Sequence, residues 1–329
     1  KDMPKSRSIR WGLLGAGAIS RRFAKGLELS VTGYLVAVAS RTREAAHDLS
    51  FDAGCRAYHD YDELLADPEV SVVYIGLPHH MHAEWTAKAA KAGKHVLCEK
   101  PFTMTAREAE AALDEVSGND VFCMEAFMYR CHPQTQELKR LLDSGEIGQV
   151  HRIRAEFGFN APREWQNFRT RAELGGGGLM DVGCYCVSMS RMIAGCEPSE
   201  AEYRAELTEG YDSFGEGTLI FPNGIQAEFA CGIHTDALKN TVTIWGSEGR
   251  IEVPSPWFCD QPLLLFKGES ATPLEISKGG GVDLFGNEAD VVQQHLHDRE
   301  APHVSWRDTL GNMRTLDRLR ESAGMSFQQ

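Results

Sequence analysis

"GLLGAGAIS", residues 12–20, is the stretch whose reading decides the fold. It leaves an apolar run, "IRWGLLG" (9–15), that is nearly continuous, as a strand covered on both faces must be. Gly15 and Gly17 allow a tight turn and the close approach of a pyrophosphate. A helix opening at Ala18 and Ile19 then offers free amides and a positive dipole end. Ser20 stands where a third glycine is usual and is small enough to pack helix against strand. Such a pattern gains its weight from its place directly after a first strand.

Working outward, apolar runs recur at "YLVAVAS" (34–40), "VSVVYIG" (70–76), "HVLC" (95–98) and "VFCME" (121–125). Helical stretches lie between them, such as 81–92 and 105–117. The second opens on Thr105 and Glu108 in capping-box positions, and Gly118 is read as its stop. Strand–helix alternation of this kind predicts a parallel, doubly wound sheet. After about residue 150 the pattern changes. In "RIRAEFGF" (152–159), apolar and polar residues alternate, which predicts a strand with one wet face. Further strands are expected at 201–207, 214–221, 226–234, 240–245 and 250–253, with helices at 133–143, 180–194, 288–298 and 307–322. The expectation is an α/β domain over 1–126 for the dinucleotide. An α+β domain over 127–329, with an open-faced, mostly antiparallel sheet, serves the substrate and oligomerisation. The C-terminal helices are candidates to pack back on the first domain.

The 329 residues suit two domains, and 42% hydrophobic with 25% charged residues is a globular composition. A net charge of −13 argues against non-specific binding to nucleic acid or to an anionic membrane. No apolar run approaches the length of a membrane span. "KDMPKSRSIRW" carries no apolar export core, and the odd count of nine scattered cysteines reads as reduced. A cytoplasmic location is therefore expected.

An NAD-preferring site usually ends its second strand in a carboxylate. Here that strand ends "ASRTR", and Ser40 with Arg41 welcomes a 2′-phosphate, which favours NADP(H) over NAD(H). In "GLPHHMH" (76–82), Leu77 and Pro78 shape the turn expected beside a nicotinamide ring, and His82 is expected at the cofactor or at the start of the next helix. The three histidines invite a metal reading, but no second ligand cluster accompanies them, and no metal is expected.

"LCEKPF" (97–102) places Lys100 beyond the carboxyl end of a parallel strand, where ligands bind. Pro101 biases the lysine away from helical geometry, and Glu99 is placed to orient the ammonium group or a ribose. "ELGGGGLMDVGCYCV" (173–187) holds four consecutive glycines, which let a backbone approach a ligand or another chain segment. Asp181 and Tyr185 follow four apart, on one face if a helix has begun. A carboxylate, a phenol and a lysine are the parts of a proton-transfer site, since a nearby cation draws a phenol's pKa down from about 10.

Together these motifs, with "MEAFMYRCHP" (124–133), resemble the family named for glucose–fructose oxidoreductase, inositol dehydrogenase and a rhizopine-catabolism protein (Gfo/Idh/MocA). The resemblance implies a Rossmann domain, an open-faced sheet used for homodimer or homotetramer formation, and nicotinamide-dependent chemistry on sugars, polyols or cyclic diols. Many relatives carry histidine where this chain has Tyr185. The tyrosine form is similar to dimeric dihydrodiol dehydrogenases and NADP-dependent D-xylose dehydrogenases. By that resemblance Lys100 and Tyr185 are catalytic, Asp181 is catalytic and orients substrate, and Trp165 and Arg169 line the substrate pocket. Three alternatives stand beside this reading: a keto- or anhydro-sugar reductase, a non-catalytic NADP-binding regulator, and a glycosidase using nicotinamide for transient oxidation.

Overall fold

The structure is a computed structural model and describes residues 9–162, 164–268 and 270–325. It forms two compact units. The first comprises the chain up to Cys131 with Gly281–Leu310, and the second His132–Gly280 with the residues from Gly311 on.

The first unit is built on six parallel strands in the order β3-β2-β1-β4-β5-β6. These are β1 (Ile9–Leu14), β2 (Gly33–Ala39), β3 (Arg56–Tyr58), β4 (Val72–Ile75), β5 (His95–Glu99) and β6 (Cys123–Ala126). Leu13, Leu14, Val38, the whole of β4, and Val96 to Cys98 are shut off from solvent, which explains their unbroken apolarity. The crossovers carry α1 (Ala18–Leu29), α2 (Arg43–Ala53), α3 (Tyr61–Leu65), α4 (His82–Lys91) and α5 (Ala106–Gly118). Phe23 of α1 stacks on Tyr74 of β4 at 4.0 Å and meets Trp11 of β1 edge-on. Thr105 caps α5 by accepting from the Glu108 amide, while Glu108 accepts from Met104 N, one residue before the cap. Gly118 is not the stop; the helix runs through it and closes at Asn119, before Asp120 turns left-handed at φ 56°.

After α6 (Met128–Cys131), α7 (Pro133–Asp143) opens the second unit. Its eight strands are β7 (Val150–Gly158), β8 (Glu200–Thr208), β9 (Tyr211–Ile220), β10 (Gln226–Gly232), β11 (Val242–Gly246), β12 (Gly249–Val253), β13 (Leu263–Lys267) and β14 (Leu274–Ile276). They lie in the order β14-β13-β12-β11-β7-β10-β9-β8, antiparallel throughout except β7 with β10. One face packs on α8 (Cys184–Ala194) and buries Ile153, Ala155 and Phe157. The other is wet and carries ion pairs such as Arg152–Glu228 at 2.7 Å and Arg154–Glu216 at 3.5 Å. Exposed pairs of this kind contribute little to stability.

Helix α9 (Leu284–His295) returns to the first unit and packs along α1. Its Asp290 accepts from the hydroxyls of Ser30 and Thr32 at 2.5 and 2.6 Å, pinning the turn between α1 and β2. Helix α10 (Trp306–Ser322) closes the fold. No helix among the described residues is long and apolar enough to cross a membrane.

Candidate active site

In the first unit, the turns after β1 and β4 lie where the strand order reverses. Gly15 adopts φ +100°, and a Cβ there would sit 2.8 Å from the Gly76 carbonyl oxygen. Gly15 N donates to Ala39 O at 2.9 Å, and Gly76 N to Leu14 O at 3.0 Å, so three strand ends hold the turn. Gly17 caps α1, and a Cβ added to it would meet nothing within 4 Å. Above it stand the first-turn amides of Ala18 and Ile19, which have no acceptor within the helix. Open space over unpaired amides fits a pyrophosphate. Ser20 is wholly buried, its hydroxyl packed against Gly76. At the end of β2, Ser40 Oγ accepts from Thr42 N at 3.2 Å, and Arg41 is exposed. Leu77 is buried and Pro78 half-buried beside the β4 turn.

The turn after β5 is gripped at every residue. Glu99 accepts from the Tyr74 hydroxyl at 2.6 Å and from Lys100 N at 3.2 Å. The Lys100–Pro101 peptide is cis. Phe102 N donates to Glu125 Oε1 at 2.9 Å. His82 opens α4, the second of the two places expected for it, and its ring corrects the first, a cofactor contact. Its ring is inaccessible, with Nδ1 2.8 Å from Pro101 O and Nε2 2.8 Å from Leu77 O. No edge of it is left for a cofactor; it ties the β4 turn to the lysine turn. Burial pushes its pKa down to about 4, against the pull of the two carbonyls. A neutral ring donates to only one of them.

In the second unit, residues 159–185 lead from β7 to the start of α8. Asn167 accepts from Arg169 N at 2.9 Å and starts a short 3₁₀ turn, Phe168–Thr170. Arg169 lies over the Phe168 ring at 4.6 Å and donates from Nε to Asp181 Oδ2 at 3.0 Å. Half-buried Trp165 flanks it at 5.9 Å. The glycines 175–178 meet other chain segments, not open space. A Cβ at Gly176 would sit 2.5 Å from both Phe168 O and Arg169 O, and one at Gly177 only 1.8 Å from Asp212 Oδ1. A π-helical turn, Leu179–Gly183, runs directly into α8 and carries buried Asp181 and Tyr185 on one continuous helical segment. Wide turns of this kind are frequent at functional sites. Tyr185 packs edge-on against Phe157 at 5.1 Å and Trp257 at 5.6 Å.

Several supporting residues escape a reading of motifs. Tyr74 and Glu125 hold the lysine turn, and Tyr203 and Asp212 hold the glycine loop. Glu125 had a visible signal, a carboxylate closing an otherwise apolar run. Glu288 of α9 is wholly buried, and burial, with the charge of Glu99 nearby, pushes its carboxyl well up. A cavity of about 650 Å³, lined by Leu27, Tyr34, Leu35 and Cys55, lies toward the start of β2, away from the strand ends that bind ligands. Among the described residues no group of three His, Cys, Asp or Glu side chains is placed to hold a metal ion.

A glycine turn after the first strand of a doubly wound sheet, in a chain whose second unit carries a mostly antiparallel sheet, fits a two-part dinucleotide-dependent oxidoreductase. The chain belongs to the Gfo/Idh/MocA family: the model of the oxidoreductase family with an NAD-binding Rossmann fold matches residues 9–127, and that of the GFO/IDH/MocA C-terminal domain matches 135–252. It is 32% identical to D-xylose 1-dehydrogenase (NADP(+)) 2 of Haloferax volcanii, covering 96% of this chain and 97% of that one. It is 31% identical to trans-1,2-dihydrobenzene-1,2-diol dehydrogenase of Xenopus tropicalis, covering 97% and 99%. A crystal structure of a 3-ketoreductase from Actinomadura kijaniata, in complex with NADP and TDP-benzene, superposes with a TM-score of 0.85 at 28% identity, covering 96% and 98%.

Proposed function

We propose that this oxidoreductase uses NADP(H) to interconvert a hydroxyl and a carbonyl on a sugar, polyol or cyclic diol. The first unit binds the dinucleotide and the second binds the substrate. The observation that carries this reading is the continuous helical segment bearing Asp181 and Tyr185, with Arg169 fixed on Asp181, in a chain of this family. When bound, the nicotinamide cofactor supplies the hydride chemistry. Gly15, Gly17, Ala18 and Ile19 hold its pyrophosphate; Ser40 and Arg41 take the 2′-phosphate; Leu77, Pro78, Glu99 and Lys100 flank its other end. Tyr185 exchanges the proton of the substrate hydroxyl, and Lys100 stabilises negative charge on the substrate oxygen. Asp181 and Arg169, with Trp165 beside them, orient the substrate. The dehydrogenase names of the relatives favour oxidation of a xylose-like sugar or a trans-diol, while the likeness to a 3-ketoreductase favours the reverse direction on a keto-sugar.

Lys100→Met and Tyr185→Phe are each expected to lower turnover at least about a hundredfold, followed as nicotinamide absorbance over a panel of pentoses, hexoses, inositols and cyclic diols. Near-wild-type rates in either variant remove that residue from the mechanism. We further propose a homodimer or homotetramer through the wet sheet face, where Arg152 lies over Trp245 at 5.2 Å, which light scattering tests. The cytoplasm is the compartment that fits nine cysteines outside any disulfide, seven of them buried.

A further inference from the structure

We propose that Asp212 is a positioning residue that sets the Arg169–Asp181 pair and Tyr185 through the glycine loop. Asp212 stands at the start of β9 and is wholly buried. Its Oδ2 accepts from Leu179 N at 2.7 Å and from the Tyr203 hydroxyl at 2.8 Å. Leu179 is the first residue of the wide turn that carries Asp181. The left-handed backbone of Gly177, φ +108°, lies against Oδ1, where no side chain fits. Gly177 in turn fixes both members of the pair: its N–H donates to Arg169 O at 2.8 Å, and its carbonyl accepts from Asp181 N at 3.1 Å. A cavity of about 410 Å³, lined by Gly176, Met180, Tyr211 and Arg320, lies beside the loop. Removing Asp212 therefore frees Gly177 and Leu179 to move, and the pair moves with them.

The hold is also titratable. Burial pushes the Asp212 carboxyl up to about 6, opposed by its hydrogen bonds and by Arg320. The groups facing it are Tyr203 on β8, Cys231 on β10 and Arg320 on α10. Ionised Asp212 accepts from Leu179 more strongly than the neutral acid does.

The inference rests on the roles proposed above for Asp181 and Tyr185, and one experiment separates the two. Asp212→Ala, Asp212→Asn and Tyr203→Phe are compared with wild type, using D-xylose and trans-1,2-dihydrobenzene-1,2-diol with NADP⁺. In Asp212→Ala, kcat/KM falls at least about thirtyfold while NADP⁺ affinity stays within about twofold. Amide hydrogen exchange rises across 177–183 but not in β1 or β4. Asp212→Asn, which keeps an acceptor oxygen but not the charge, holds a reduced rate close to that of wild type below pH 6 and lacks the acid limb near pH 6 that wild type shows. Tyr203→Phe, which leaves no hole, gives an intermediate loss and serves if Asp212→Ala does not fold. Unchanged exchange at 177–183, or kcat/KM within about threefold of wild type in both Asp212→Ala and Tyr203→Phe, overturns the positioning role. No turnover by wild type on any sugar or diol overturns the functional reading instead, and the exchange measurement still decides the inference.

Discussion

Arg169 and Asp181 form an unequal pair: the Asp181 side chain is 5% exposed and that of Arg169 30%. Their removal therefore has unequal costs. Arg169→Ala takes a cation away from a buried carboxylate and is expected to destabilise by about 2 kcal/mol. Asp181→Ala leaves a guanidinium that can turn to water and costs less, about 1 kcal/mol. Urea titrations of the two variants check the order. Catalysis runs the other way if Asp181 orients substrate, with the larger loss of kcat/KM in Asp181→Ala. Equal stability losses would show that Arg169 does not compensate the buried charge.

Gly15 and Gly17 make opposite predictions although they share one motif. Gly15→Ala forces a Cβ to 2.8 Å from a backbone oxygen at a positive φ and is expected to cost at least about 1 kcal/mol. Gly17 has φ −74° and open space, so Gly17→Ala leaves stability within about 1 kcal/mol. That open space is where the pyrophosphate is proposed to lie, so the methyl group should weaken NADP⁺ binding at least about tenfold. Thermal denaturation and fluorescence titration separate the two effects. Normal NADP⁺ affinity in Gly17→Ala would place the pyrophosphate elsewhere.

The two-sheet architecture was legible because its strands follow two simple periods. Nearly unbroken apolar runs marked β1, β2, β4, β5 and β6, and alternation marked β7. The pieces that escaped are short or half-exposed. β3 and β14 have three residues each, too few for a period, and β13 follows an irregular stretch after β12. The turn at Glu209–Gly210, both with positive φ, is tighter than the gap first read there, so β9 begins at Tyr211 and brings Asp212 into the sheet. Lys100, Asp181 and Tyr185, the residues proposed to act on substrate, stand out by residue type. Their supports did not, because Tyr74, Glu125, Tyr203 and Asp212 act through contacts distant in sequence. His82 misled for the same reason: a histidine in a glycine–proline turn looks like a ligand contact until its two backbone acceptors are seen.

That buried histidine predicts a pH dependence of stability. An imidazole ordinarily titrates near 6.5, whereas burial holds His82 down to about 4. Between these values the unfolded chain binds a proton that the folded one refuses. The contribution of His82 to stability is thus full above pH 6.5 and declines as pH falls toward 4, by up to about 3 kcal/mol. Asp212 works with the opposite sign, since its raised pKa makes the folded chain take up the proton first. The comparison that isolates His82 is wild type against His82→Gln. The stability gap between them should narrow from pH 7 to pH 4.5 in urea titrations. A gap that is flat with pH would mean that His82 titrates in the folded protein as it does in the unfolded chain.

Cofactor choice is expected to turn on Ser40 and Arg41. The Ser40 hydroxyl accepts from the Thr42 amide, which fixes the turn after β2, while Arg41 stays exposed at its tip. A 2′-phosphate carries close to two negative charges, and a guanidinium can meet it with paired donors. Arg41→Ala should therefore lower kcat/KM with NADP⁺ about ten- to a hundredfold and leave the value with NAD⁺ within about threefold. Ser40→Asp should do more, because it sets a carboxylate against the phosphate while offering NAD⁺ an acceptor for its ribose hydroxyls. The ratio of the two kcat/KM values in one buffer is the measurement. A wild-type preference for NAD⁺, or an Arg41→Ala loss shared equally by both cofactors, would mean that this turn does not read the phosphate.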